Sequence, residues 1–270
     1  MMLQRDVEYL TLLVEPIRVC ARYQPKLGQG AKIGLGLQAF QSLYRSDPFY
    51  SWFGLDNPLM YAAHKAAGGM TSIYRQIGIG CERLFRKILQ DHLGLDQDDT
   101  KWSYTTVVAN NRKRKLALDG RIPLDCLGDL EKKRSITNWI GEQCDALSVD
   151  LFIRRSLKGV VFEVRQGYKS KDAKRQNADI ANAATAYTQA YLPCVAVLST
   201  QIDTDIATRY RHERWAILIG STADSSTSTS TYAFMRDIVG YDLAAFFERN
   251  KDVLHKEVDA VLRKLLSANE

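Results

Sequence analysis

Apolar positions at three- and four-residue spacing, Ile77, Cys81, Leu84, Phe85, Ile88 and Leu89, predict an amphipathic helix from Gly69 to Leu93, interrupted or kinked near Gly78 and Gly80. Further on the period changes. Val149 to Ile153 and Val160 to Val164 are short runs rich in Val, Ile, Leu and Phe, separated by Ser156-Leu-Lys-Gly159, and they read as two antiparallel strands joined by a tight turn. The segment from Lys171 to Tyr191 is rich in Ala and free of Pro and Gly, which predicts a helix; Pro193 ends it, and Cys194 to Leu198 follows as a continuous apolar strand. Strand, helix and strand in that order predict a crossover unit built on the strand that holds Glu163. Trp215 to Gly220 reads as one more buried strand.

The flanks are simpler. Asp6 to Ala21 predicts a helix kinked at Pro16, and residues 24–36, with four Gly and one Pro, predict a loop. Asp47-Pro48 to Gly54 and Asn57-Pro58 read as aromatic-rich turns, suited to core plugs or dimer contacts more than to base stacking. Tyr104 to Ala109 and Leu116 to Leu118 read as strand-like, with Asn110-Asn111 as turn formers and four cations, Arg112, Lys113, Arg114 and Lys115, between them: a basic hairpin tip or strand entry. The Ser/Thr run from Ser221 to Thr231 predicts a polar surface loop, and the spacing of Leu243, Phe246, Phe247 and later apolar residues to Leu265 predicts one or two closing helices.

With 270 residues and 46% apolar content the chain can bury a sizeable core as one domain. Its parts are then an N-terminal helical and loop region (1–69), a core (70–220), and a polar loop with C-terminal helices (221–270). No apolar run reaches the length of about eighteen residues needed to cross a bilayer, and the first residues lack the pattern of a signal peptide, so a cytoplasmic protein without a membrane partner is expected. Five scattered Cys without a CxxC pair indicate neither a disulfide framework nor a zinc site. His64, His92, His212 and His255 are isolated, and HExxH and GxSxG are absent. Glycines 28, 30 and 34 miss the GxGxxG spacing and no GxxxxGK[ST] occurs, so no nucleotide cofactor is expected. The net charge of +6 leaves polyanions as plausible partners.

The chemistry concentrates around residues 150–175. In the expected hairpin Asp150 lies opposite Arg165 and Phe152 opposite Glu163, so alternation puts Asp150, Glu163 and Arg165 on one face. Two carboxylates with an adjacent cation suit a hard divalent ion and the charge of an attacked phosphate. The same residues read otherwise as solvated strand positions, Asp150 paired with Arg154 and Glu163 with Arg165.

The spacing Asp150 … Glu163-Val-Arg165 resembles the signature of PD-(D/E)xK nucleases, the superfamily of many type II restriction endonucleases. The resemblance implies an α/β (α+β) core, a mixed central sheet flanked by helices, Mg²⁺ as cofactor, double-stranded DNA as substrate, 5′-phosphate ends and a homodimer. Val149 stands where the family has Pro, and Arg165 where it has Lys; a guanidinium does not act as a base near neutral pH, and Gln166, Lys169 or Lys171 are the other candidates for that role. A helix before the core sheet carries a further Glu in many restriction enzymes, and Glu82 is the matching residue, with an i, i+4 pairing to Arg86 as its other reading. Under this reading Arg112, Lys113, Arg114, Lys115, Lys171, Lys174 and Arg175 are the candidate DNA contacts. A structure-reading repair or recombination nuclease, and a non-catalytic DNA-binding protein with a nuclease-like fold, are the alternatives.

Overall fold

The computed structural model describes residues 4–27, 32–108, 112–167 and 173–267. They fold as two compact units, one of residues 1–80 and 248–270, the other of residues 81–247.

In the first unit the elements are helices α1 (Gln4–Val19), α2 (Leu37–Ser46) and α3 (Pro48–Trp52), with the N-terminal part of α4 (Pro58–Leu93) and most of α10 (Leu243–Leu266). Pro16 is accommodated within α1, and the region read as aromatic turns is in part helical because Asp47 caps α3, accepting from the N–H groups of Phe49 and Tyr50. Helix α4 begins earlier than Gly69 and runs on through Gly78 and Gly80. The reason for glycine at 80 is packing: a Cβ there would meet the Leu13 backbone at 3.0 Å, so the missing side chain lets α1 lie close. Ile17, Cys20, Ile73, Val261 and Leu265 form the apolar centre of this unit, and Arg249 makes a two-pronged bond to the buried Asp6 carboxylate at 3.0 and 3.2 Å.

The second unit is a mixed sheet flanked by helices. Its strands are β1 (Trp102–Val108) and β2 (Arg112–Leu118), an antiparallel pair, and β3 (Gly120–Pro123), β4 (Gly159–Arg165), β5 (Tyr191–Val197) and β6 (Ala216–Leu218), which lie in that order. β3 runs antiparallel to β4; β5 and β6 continue in parallel. Helix α7 (Ala173–Thr188) connects β4 to β5, so the expected crossover unit is present. Val161, Val195 and Val197 pack with Ala183 and Ala186 of α7 and with Ile206, Ala207 and Tyr210 of α8 (Thr204–His212). On the opposite face Phe162 meets Phe85 of α4 and Phe234, and Phe234 in turn meets Trp139 of α5 (Leu130–Ala146).

Two expectations are corrected. The run Val149–Ile153 is not a strand: Leu151–Ser156 is a short helix, α6, capped by the Asp150 carboxylate, which accepts from the Phe152 N–H at 2.8 Å. Gly159, read as part of a turn, instead opens β4, where a Cβ would collide with the Ile122 carbonyl of β3 at 2.0 Å. The Ser/Thr run is not a polar surface loop throughout. Ser230 and Thr231 are fully buried, the Thr231 hydroxyl donates to the Val197 carbonyl, and the carbonyls of Thr227 and Ser228 accept from the Trp139 indole and the Gln143 amide of α5. Hydroxyls and carbonyls that find partners can be buried at little cost. Thr231 also opens the short helix α9 (Thr231–Ala233), which passes into a π-helical turn over Phe234–Val239.

Candidate functional site

The polar centre of the second unit lies where one strand changes partner. β3 is paired with β4 and β2 with β1, and between them stands Asp119. Its N–H still donates to the Phe162 carbonyl at 2.7 Å, so the ladder with β4 reaches one residue past β3. Beyond that point the backbone turns away, and the Asp119 carboxylate takes over: Oδ2 accepts from the Val164 N–H at 2.9 Å. Asp119 is thereby fastened to β4 between Glu163 and Arg165.

Those two residues sit two apart on β4 and share a face. Their side chains form an ion pair, with about a tenth of each left exposed. Burial of this kind makes the pair costly to break.

Glu82 comes from α4. Phe85, one turn further along, packs on Phe162 with ring centroids 5.0 Å apart, and this contact anchors that turn of the helix to the sheet. The Glu82 pKa is pushed up to about 7, chiefly by burial and then by the negative charge of Asp119, against the opposing pull of Arg86, Arg165 and Arg83. Glu82 therefore senses both Asp119 and Arg165, and at neutral pH it is poised between its charged and neutral forms.

The predicted residues fall out as follows. Glu82 lies in electrostatic reach of Arg165, and Arg165 is paired with Glu163. Asp150 is not their partner across a hairpin, since the neighbours of β4 are β3 and β5 and Asp150 caps α6. Asp119 occupies the position beside Glu163 that the sequence reading gave to Asp150. Lys169 and Lys171 lie outside the described residues. Lys174 and Arg175 belong to the first turn of α7, and Arg112 to Lys115 belong to β2, where Lys113 and Lys115 are exposed. The basic strand leads along the chain into Asp119. The hairpin is held against α7 by the Tyr104 hydroxyl, which donates to the Asn182 side chain at 2.6 Å.

A divalent cation fits the chemistry of this donor set. Hard ions prefer carboxylate oxygens, Asp119 and Glu163 present theirs from neighbouring backbone positions, and the repulsion that raises Glu82 is the kind a cation relieves. Among the described residues no three His, Cys, Asp or Glu side chains are grouped closely enough to hold an ion by themselves, and Glu163 is engaged by Arg165. No protein-family model, curated protein or solved structure matches this chain.

Proposed function

We propose that this chain is a Mg²⁺-dependent endonuclease that hydrolyses phosphodiester bonds of double-stranded DNA at specific sites, in the manner of type II restriction enzymes and leaving 5′-phosphates. What carries the reading is the fastening of Asp119 to the backbone of Val164, which sets a carboxylate beside Glu163-Val-Arg165 with Glu82 at hand. The order of elements supports it as well: helix with Glu82, antiparallel strands, the strand of Glu163, crossover helix, parallel strand. The separation of Asp119 from Glu163 is longer than the ten to thirty residues usual for the signature, because α5 and α6 are inserted between β3 and β4.

In this account Asp119 and Glu163 would hold the cation, which when bound supplies a water of lowered pKa. Glu82, a carboxylate in electrostatic reach of Asp119 and Arg165, would take the proton released from water. Arg165 remains charged at any working pH and offsets negative charge on the attacked phosphate. Lys113 and Lys115, exposed on β2, offer phosphate contacts. Incubating the chain with long duplex DNA, with Mg²⁺ and separately with EDTA, and sequencing the ends tests this: metal-dependent ends sharing a short motif are expected, and intact DNA with Mg²⁺ and with Mn²⁺ overturns it.

One observation favours a second reading. The buried ion pair already neutralises Glu163, as suits a DNA-binding protein that has kept a nuclease-like fold without catalysis. Retention of DNA that is indifferent to chelator, with no cleavage, would select it.

A further inference from the structure

The first unit exposes an aromatic surface that nothing in the nuclease reading uses. On α3 and its C-cap the rings of Phe49, Trp52 and Phe53 stand at i, i+3 and i+4, hence on one side of the helix, and they are 58%, 81% and 68% exposed. Tyr50, 41% exposed, is in edge contact with Phe49, whose ring also lies 5.1 Å from that of Phe53, so these three rings are contiguous. Leu59, 80% exposed, follows at the start of α4. An isolated exposed aromatic is ordinary; a contiguous group is not.

Size and charge indicate what covers it. At about 200 Å² for a fully exposed aromatic side chain, the four rings alone leave roughly 500 Å² of apolar surface in water. That is most of the ~800 Å² that each partner contributes to a standard interface. Between Ile33 and Leu59 the only charged residues are Arg45, Asp47 and Asp56. Arg45 is bound to Asp56 at 3.1 Å, and the Asp47 carboxylate is occupied as the cap of α3. On a chain of net charge +6 this stretch therefore carries no uncompensated cation with which to grip a phosphate backbone. A second copy of the same patch, in contrast, presents aromatic surface to aromatic surface, with Arg45 and Asp56 already paired and the Asp47 carboxylate hydrogen-bonded as the cap of α3, in a two-fold isologous contact.

We infer that the α3 aromatic stripe of Phe49, Trp52 and Phe53 is the contact through which two copies of this chain form a symmetric dimer. The inference does not rest on the nuclease reading. It gives the expected homodimer a surface of its own, remote in sequence from the Glu163 strand.

Sedimentation equilibrium of the full chain across a wide concentration range is the test, together with the double substitution Trp52→Glu and Phe53→Glu. The expected result is twice the mass of one chain for the wild type, a single-chain mass for the variant, and the same far-ultraviolet circular dichroism for both. A wild type that stays monomeric, or a folded variant that stays dimeric, overturns the proposal. Loss of DNA retention by the variant from a monomeric wild type would overturn it too and would make the stripe a base-stacking platform. Should the variant not fold, the wild type still decides. Of its four tryptophans, Trp102, Trp139 and Trp215 are buried and Trp52 is exposed, so acrylamide should quench only weakly the fluorescence of a wild type that sediments as a dimer. Strong quenching of a wild type that sediments as a dimer overturns the stripe as its contact.

Discussion

The Asp119 carboxylate accepts the backbone N–H of Val164 at 2.9 Å, and in doing so one side chain both extends a β-ladder and brings a negative charge close enough to raise Glu82. Structure and chemistry are therefore separable at this residue. Asp119→Asn keeps an oxygen for the Val164 N–H and removes the charge, whereas Asp119→Ala removes both. The alanine variant should lose about 1–3 kcal/mol, the cost of an unsatisfied buried donor, and the asparagine variant clearly less. Urea denaturation of the two variants measures this, and equal losses would show that the hydrogen bond carries no structural weight.

Glu82 makes stability depend on pH in a direction opposite to that of most carboxylates. Its folded pKa is raised from 4.5 to about 7, so the fold binds its proton more tightly than the unfolded chain does. The contribution is fully present below the unfolded value of 4.5 and is lost as pH rises through about 7. Glu82→Gln, which mimics the neutral acid, should therefore match the wild type in melting temperature at low pH and exceed it above neutrality. A difference between the two that stays constant over this range would show that Glu82 is not perturbed by Asp119 and burial.

The Glu163–Arg165 pair is predicted to be strongly coupled. With both side chains about one-tenth exposed, Arg165→Met removes the cation bound to a buried carboxylate and should cost about 3–5 kcal/mol. Adding Glu163→Gln in the Arg165→Met background should restore part of that loss. A double-mutant cycle in denaturant gives the coupling directly, and additive losses would mean that the pair does not act as a unit.

Asp150 is predicted to be a helix cap and nothing more. Asp150→Ala removes the acceptor of the Phe152 N–H and should cost about 1 kcal/mol, with α6 loosened and any cleavage activity retained in the folded fraction. Thermal melting alongside a DNA digest checks both halves.

Much of the architecture could be read from the sequence, and the failures have definite causes. The crossover unit was legible because Ala-rich helix, Pro193 and apolar strand each carry a strong local signal, and the structure contains it as β4, α7 and β5. The basic hairpin likewise followed from two strand-like runs around Asn110-Asn111, although the cations extend through β2 itself rather than crowding a tip. Leu151-Phe-Ile153 misled because a short apolar run does not distinguish strand from helix; the informative residue was Asp150, whose capping oxygen decides the outcome. Asp119 was passed over for a related reason. Asp119-Gly120 has the composition of a turn, and only the change of partner from β1 to β4 turns it into a strand junction with its carboxylate aimed at Val164. Of the candidate site, Glu82, Glu163 and Arg165 were named from sequence, but Asp119, bonded to Val164 between the latter two, depends on a long-range pairing that no local pattern encodes. The Ser/Thr run failed because burial of Ser230 and Thr231 rests on tertiary partners, the Val197 and Ser221 carbonyls.

The measurement that bears most directly on this account compares Mg²⁺-dependent cleavage of duplex DNA by the wild type, Asp119→Asn and Asp150→Asn, with folding of each confirmed by melting. Cleavage by the wild type and Asp150→Asn, with loss in Asp119→Asn, is the predicted result. Asp119→Asn cutting as well as the wild type, or a folded wild type that cuts with neither Mg²⁺ nor Mn²⁺, would contradict it.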